Sequence, residues 1–238
     1  PIPLSALRKV LQAGVQASSG QNTQPWKFVA ITEPKAKHWF AERYRAAILS
    51  RFGKVNEYAD SQSPMGRQLK ALTYQMDHMQ EFPVLLLICG QRDWPFKVPQ
   101  SERVGLAPPN YGAVYPCTQN ILLACRALGL GAALTTMHQV FEQELHEYFE
   151  IPDEFGVVVT MPIGYPLGKF GTVRRTPAEE KTFFNRWGNS EPGHVGDEGP
   201  WIYRGSTRLD ILGKDLGIPN LLLEIDSLTM YMFVRNEH

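Results

Sequence analysis

The chain has 238 residues, of which 43% are hydrophobic and 20% are charged, and its 24 Lys and Arg residues balance its 24 Asp and Glu residues. This is the composition of an ordinary globular protein that is long enough for one sizeable α/β core. A formal charge of zero argues against nucleic acid or an anionic membrane as a partner. No apolar run approaches the roughly 18 residues of a membrane span, and no signal peptide is recognised, so we expect a cytoplasmic protein.

Three cysteines and six histidines are too few and too scattered for a disulfide framework or a metal site. Cys117 and Cys125 fall eight positions apart in a predicted helix, about 12 Å along its axis, which is too far for a disulfide. Cys89 lies in an apolar strand, as is typical of an inert core thiol. The sequence contains neither HExxH nor CxxC, so we expect no bound metal and a reducing cytoplasm.

Hydrophobic periodicity predicts helices and strands in alternation over most of the chain. A continuous apolar run at residues 82–90 is typical of a strand that is buried on both faces. The predicted elements, in chain order, are helix 4–17, strand 26–32, helices 34–51 and 65–81, strand 82–90, helix 111–128, strand 132–136, helix 140–149, strand 155–163 and a short helix at 177–187. The proline-containing residues 91–110 form a loop whose length is usually functional.

We interpret residues 1–188 as one domain and residues 189–238 as a C-terminal extension. Residues 189–199 have the polar, glycine-rich composition of a linker, and residues 211–234 contain clusters of apolar side chains. The extension is too short for a core of its own. It must therefore pack on the domain, pack on a partner chain, or be poorly ordered.

The first motif is SSGQNTQPW at residues 18–26, between the first helix and the first strand. Ser, Gly and Asn favour a turn with exposed backbone N–H groups, and Asn and Gln amides both donate and accept hydrogen bonds. Such groups complement the edge of a flavin ring, where N–H and C=O groups alternate. The alternative is a plain connecting loop in which Trp26 anchors the core.

The second motif is ALGLGAALTT at residues 127–136. A dinucleotide-binding fingerprint needs a strand before its glycines and a helix after them. Here the order is reversed and the third glycine is missing, so we exclude a Rossmann site. Two interpretations remain: a helix cap followed by a buried strand, or a strand whose small residues let its backbone approach a ligand ring.

The third motif is PIGYP at residues 162–166, followed by Gly168, Gly171 and RRTP at residues 174–177. A turn of this composition could present Arg174 or Arg175 to a phosphate, whose oxygens match a guanidinium group. Otherwise the two arginines are a solvated basic pair before a helix that has Pro177 in its first turn.

Together, in this order and spacing, the three motifs resemble the nitroreductase family over about residues 2–188. The resemblance implies an α+β fold with a mostly antiparallel central sheet flanked by helices. It also implies an intertwined homodimer with FMN at the interface, where the first motif approaches the flavin from one subunit and the second motif from the other. The residues implied to bind the cofactor are Ser18, Ser19, Gly20, Asn22, Gly131, Leu134, Thr135 and Thr136, with Arg175 and Arg174 as candidates for the phosphate.

The activity implied by the resemblance is that of an FMN-dependent oxidoreductase. Electrons would pass from NAD(P)H to a small-molecule acceptor such as a nitroaromatic or quinone, by a ping-pong mechanism. Solvent can supply protons in this family, so we assign no catalytic side chain. Trp94, Tyr111 and Tyr115 are candidates for the acceptor pocket, or are simply packed aromatics. The alternatives are reductive dehalogenation, dehydrogenation or flavin fragmentation within the family, or a non-catalytic flavin-binding protein.

Two features depart from the family pattern. In the family, an R-x-S-x-R segment before the first helix binds phosphate and ribityl oxygens. No such segment precedes the first helix in this sequence. We expect either a truncated sequence or a more weakly held cofactor. The family also commonly ends near Gly188, which leaves the extension unexplained.

Overall fold

The computed structural model describes residues 1–53, 64–92, 99–102, 111–168 and 175–190. Those up to residue 168 belong to one compact unit, and residues 175–190 belong to a second. The helices in these ranges are α1 (Leu4–Gly14), α2 (Pro34–Phe52), α3 (Pro64–His78), α4 (Tyr111–Ala127) and α5 (Glu142–Phe149). The strands are β1 (Trp26–Ile31), β2 (Val84–Gln91), β3 (Gly131–Ala132) and β4 (Phe155–Gly164).

The four strands form one sheet in the order β1-β2-β4-β3, and every neighbouring pair is antiparallel. Trp26 pairs with Gly90, and Gly131 pairs with Gly164. The register between β2 and β4 shifts by one residue at Ile88 and Cys89, as at a β-bulge. The predicted α+β fold with a mostly antiparallel sheet is therefore confirmed.

The two central strands are almost wholly buried. All residues of β2 except the last are buried, and so are all residues of β4 except the first, which is half-buried. Because side chains alternate between the faces of a strand, both faces of this sheet must be covered. The prediction of a doubly buried strand at residues 82–90 is confirmed, with the strand shifted to Val84–Gln91.

Helices cover the two faces of the sheet. On one face, Phe40, Tyr44 and Ile48 of α2 join a core cluster with Leu85 and Leu87 of β2. The other central helix, α4, contacts all four strands and packs against α1. Its fully buried residues follow the spacing of one helix face, which is typical of an amphipathic helix: Val114, Cys117, Ile121 and Cys125.

The helices α1 and α4 approach each other closely at a glycine. A Cβ atom added to Gly14 would lie 2.8 Å from Cγ1 of Ile121 and 3.2 Å from Sγ of Cys117. The amide of Asn120 also donates a hydrogen bond to the carbonyl of Ala13, at 3.3 Å. This contact fixes the end of α1, from which the chain enters the first motif.

Residues that follow β3 are tied to β4 by a buried histidine. His138 lies in a 3₁₀ turn at Met137–Phe141, and its Nε2 donates to the carbonyl of Val157 at 2.7 Å. Burial lowers the pKa of His138, and this hydrogen bond and the charge of Glu142 offset only part of that effect. The imidazole is therefore neutral in the folded protein at pH 7.

An ion cluster packs beside this turn. The guanidinium of Arg92, which follows β2, contacts the carboxylate of Glu142 at the start of α5, and His146 lies 3.7 Å from the same carboxylate. Burial raises the pKa of Glu142, but the hydrogen bond from His146 and the charge of Arg92 outweigh it and bring the pKa below its usual value. The cluster therefore holds the end of β2 against α5.

All three cysteines are buried and free. Burial raises the pKa of Cys89, Cys117 and Cys125 to about 12 in each case. The interpretation of Cys89 as a core thiol agrees with this environment. Within the described ranges, no group of His, Cys, Asp and Glu side chains could hold a metal ion, and no helix has both the length and the apolar character needed to cross a membrane.

Two predicted elements were wrong in extent. The predicted strand 132–136 ends at Ala132 and continues only as an isolated bridge between Thr135 and Thr160, and a 3₁₀ turn begins at Met137. The predicted helix 177–187 is reduced to one 3₁₀ turn, Ala178–Lys181. There Asn185 and Gly188 adopt positive φ, which an α-helix does not allow.

Replacing Gly14 by Ala should destabilise the protein by about 1–3 kcal/mol, because the added methyl group overpacks the contact with Ile121. Gly112→Ala in α4 is the matched control, since a Cβ there meets nothing within 4 Å and Ala gains up to about 1 kcal/mol of helix propensity. Urea unfolding of both variants measures the difference. A Gly14→Ala variant as stable as the wild type would contradict the close packing of α1 on α4.

Protonation of His138 should make stability depend on pH. The folded pKa lies below the ordinary value of 6.5, so the unfolded chain binds the proton first as the pH falls. Stability is therefore retained above pH 6.5 and is lost below it by up to about 1.4 kcal/mol per pH unit, until the folded pKa is reached. His138→Gln keeps a donor for Val157 but cannot titrate, so urea midpoints between pH 7.5 and 5.5 should fall less for the variant. Equal slopes for both proteins would refute this assignment.

Candidate functional site

The first motif forms a tight exposed turn. Gly20–Asn22 make one 3₁₀ turn, and the hydroxyl of Ser19 accepts a hydrogen bond from the backbone N–H of Gln24 at 3.0 Å. Pro25 and Trp26 at its end are buried, and Trp26 begins β1. The turn is thus fixed at both ends, by the α1–α4 contact and by the sheet.

The backbone of this turn is strained. Gln21, Asn22 and Gln24 have φ angles of 52°, 56° and 49°, a left-handed conformation that costs a non-glycine residue roughly 1–2 kcal/mol. Strained backbone is concentrated at functional sites, where the surrounding structure maintains it. The strain here keeps polar side chains on the surface, where Gln21 and Asn22 are exposed.

The two neighbouring threonines of the second motif differ in burial. Thr135 is buried, and its backbone N–H and C=O both pair with Thr160, at 2.9 and 3.0 Å. Thr136 is exposed, Leu134 is half-buried and Gly131 is buried. Thr136 can therefore present its hydroxyl to a ligand, whereas the hydroxyl of Thr135 faces the core.

The two motifs lie at opposite edges of the sheet. Across the sheet, three inter-strand steps of about 4.8 Å separate β1 from the Thr135 bridge. Along the sheet, Trp26 is level with Gly156 of β4, and Thr135 is level with Thr160, four residues further along that strand. At about 3.4 Å per residue, these steps put Trp26 roughly 20 Å from Thr135. The first motif therefore adjoins one edge strand of the sheet and the second motif adjoins the other.

The other predicted site residues are only partly described. Arg175 is exposed and belongs to the second unit, and Tyr115 on α4 is 49% exposed. Tyr111 is the first residue of α4. Trp94 and Arg174 lie outside the described residues, as do residues 191–238 of the extension. The cofactor and pocket assignments of all these residues stay predictions.

Sequence analysis missed the side chains that support the second motif. Tyr44 of α2 and Gln75 of α3 are buried beside Thr135, and Tyr44 donates to the amide oxygen of Gln75 at 2.9 Å. Their separation from Thr135 along the chain is large, so no local pattern indicates the contact. The one available signal is chemical, since a buried tyrosine hydroxyl needs a hydrogen-bond partner.

Comparison with known proteins agrees with this architecture. A profile of the Nitroreductase family matches residues 1–165. The chain is similar to an iodotyrosine deiodinase of Thermotoga neapolitana, with 27% identity over 168 residues that cover 69% of this chain and 78% of the relative.

Two solved structures have the same fold. One is oxidized iodotyrosine deiodinase bound to FMN and 3-iodo-L-tyrosine, with a TM-score of 0.56 and 22% identity, covering 74% of this chain and 85% of that chain. The other is a variant of the FMN and NADPH-dependent nitroreductase NfnB from Sphigopyxis, with a TM-score of 0.58 and 15% identity, covering 79% and 92%. With the profile match over more than half of its length, the chain belongs to the nitroreductase family.

Proposed function

We propose that this protein is an FMN-dependent oxidoreductase that binds its flavin between two copies of the chain. The observation that carries the proposal is that the two motifs adjoin the opposite edge strands, β1 and β3, of one sheet. Each motif has exposed polar groups, Gln21 and Asn22 in the first and Thr136 in the second, and each offers only part of a flavin site. Two copies arranged around a two-fold axis would bring the turn of one against Thr136 of the other, twice.

The polar groups present fit a flavin. The exposed amides of Gln21 and Asn22 can donate and accept, which matches the alternating N–H and C=O groups along the ring edge. Thr136 adds a hydroxyl that can do either. In the proposed site, Ser18, Ser19 and Gly20 complete the turn, and Leu134 and Gly131 lie beside the ring.

In the proposed reaction, the protein binds and orients its reactants more than it transfers protons. When bound, FMN supplies a carrier that takes a hydride from reduced nicotinamide and passes electrons to an acceptor. The turn and Thr136 would hold the edge of the ring, and hydrogen bonds from their donors would favour the negative charge of a reduced flavin. Solvent can deliver protons to such exposed groups. The NADPH-dependence of the similar nitroreductase NfnB supports reduced nicotinamide as the donor.

A mixed dimer should test the shared site. Asn22→Gly removes the amide but tolerates the positive φ, and Thr136→Ala removes the hydroxyl. Each variant alone should bind FMN more weakly at both sites, by about 1 kcal/mol per lost hydrogen bond. In the mixed dimer, one site carries both changes and the other carries neither, so random pairing should restore about one site in four to wild-type affinity.

FMN titration of the two variants, separately and after co-refolding, measures this result, with light scattering to establish the dimer. The double variant Asn22→Gly with Thr136→Ala, co-refolded with the wild type, is the control. Its mixed dimer contains no intact site, so the share of wild-type sites should fall from about one half before mixing to about one quarter, all of them in wild-type homodimers. A monomer that binds FMN, or no recovery on mixing, would overturn the proposal.

A second candidate function is reductive dehalogenation of a halogenated aromatic. The observation that favours it is the similarity, over 69% of this chain, to the iodotyrosine deiodinase of Thermotoga neapolitana. The chemistry would consume two electrons and one proton, replace the carbon–halogen bond by carbon–hydrogen, and release halide. The flavin site and the electron donor would be the same as in the first proposal.

Steady-state assays with one flavin-loaded preparation should distinguish the two reactions. We expect oxidation of NADPH to accelerate with a nitroaromatic or quinone, with one NADPH consumed per hydroquinone or two per hydroxylamine formed. If the deiodinase reaction is the true one, 3-iodo-L-tyrosine should instead yield tyrosine and iodide faster than any nitroaromatic is reduced. Iodide release measured by ion chromatography, with tyrosine as the control ligand, decides between them.

A further inference from the structure

The position of the second motif depends on hydrogen bonds from two helices outside the sheet. Thr135 follows β3, and only one bridge joins it to β4, so its backbone lacks the continuous ladder that fixes β2. Its carbonyl accepts from the N–H of Thr160 at 3.0 Å and from the Thr160 hydroxyl at 3.3 Å. The remaining restraint comes through its side chain.

The donor and the acceptor of each hydrogen bond around the Thr135 side chain can be assigned. The amide oxygen of Gln75 can only accept, so Tyr44 donates its proton there, at 2.9 Å. The hydroxyl of Thr135, 3.4 Å from the Tyr44 oxygen, is then the donor of that pair. The oxygen of Thr135 in turn accepts from the backbone N–H of Met137 at 3.4 Å. Thus α2 and α3 together fix the residues on both sides of Thr136.

The burial of this chain of hydrogen bonds makes it stiff. Tyr44 is fully buried, and Gln75 and Thr135 are nearly so. Burial raises the pKa of Tyr44 to about 12, so its hydroxyl keeps its proton at any working pH. In such surroundings a polar group that loses its partner is costly. A displaced Thr135 would leave Tyr44 without its donor.

We infer that Tyr44 and Gln75 are positioning residues that determine where the exposed Thr136 meets the cofactor. The inference rests on the proposed function, in which Thr136 contacts FMN. Both side chains are buried in the core, where Gln75 contacts Tyr44 and Tyr44 contacts Thr135. Their effect on FMN binding must pass through the backbone of Leu134–Thr136. A substitution of Tyr44 should therefore change FMN affinity only when Thr136 can contact the cofactor.

A double-mutant cycle tests this dependence. Tyr44→Phe removes the hydroxyl alone, and Thr136→Ala removes the contact. With the FMN-loaded protein, we expect Tyr44→Phe to weaken FMN binding by about three- to tenfold and to shift the midpoint potential of the bound flavin. In the Thr136→Ala background, the same substitution should change FMN affinity by less than about twofold.

Ile48→Val is the matched control for loss of stability. Ile48 is fully buried one turn further along α2, and its side chain has no polar group. It should lower Tm without changing FMN affinity or potential. A Tyr44→Phe variant that behaves like Ile48→Val, or that weakens FMN equally in both backgrounds, would overturn the positioning role alone. A wild-type protein that binds no FMN would overturn the proposed function, and this inference with it.

Discussion

The burial of both faces of the two central strands constrains the rest of this structure. Neither β2 nor β4 has a face toward solvent, so a polar ligand has no access to the middle of the sheet. Polar chemistry is restricted to the sheet edges and to the connections between elements. The two motifs with exposed polar groups are indeed found there, one before β1 and one after β3. In this fold, the covering of the core therefore determines where a cofactor can bind.

The helices α4 and α2, which cover the two faces of the sheet, also position residues of the proposed site. The helix α4 covers one face of the sheet, but through its close contact at Gly14 it also fixes the end of α1 and the entrance to the strained turn. On the other face, α2 supplies Phe40 and Ile48 to the core and Tyr44 to the hydrogen bonds at Thr135. Packing and site geometry therefore share the same side chains, which couples the stability of the core to the shape of the proposed site.

Much of this arrangement follows from local sequence pattern. The continuous apolar run predicts β2, and the three- and four-residue spacing of Val114, Cys117, Ile121 and Cys125 agrees with the buried face of α4. The extent of β3 in the second motif could not be predicted, because a threonine can either pair within a strand or direct its hydroxyl into hydrogen bonds in the core. The contact of Thr135 with Tyr44 spans 91 residues of sequence. The turn at residues 18–24 was indicated by composition, but its three left-handed residues were not, since Gln21 and Gln24 are glutamines.

The three buried thiols have a consequence for the chemical durability of the protein. Flavins that react with oxygen generate peroxide, and peroxide attacks cysteine only as the thiolate. With pKa values of about 12, Cys89, Cys117 and Cys125 are almost entirely protonated at neutral pH. As long as β2 and α4 stay packed, these sulfur atoms therefore remain protonated and shielded from oxidants.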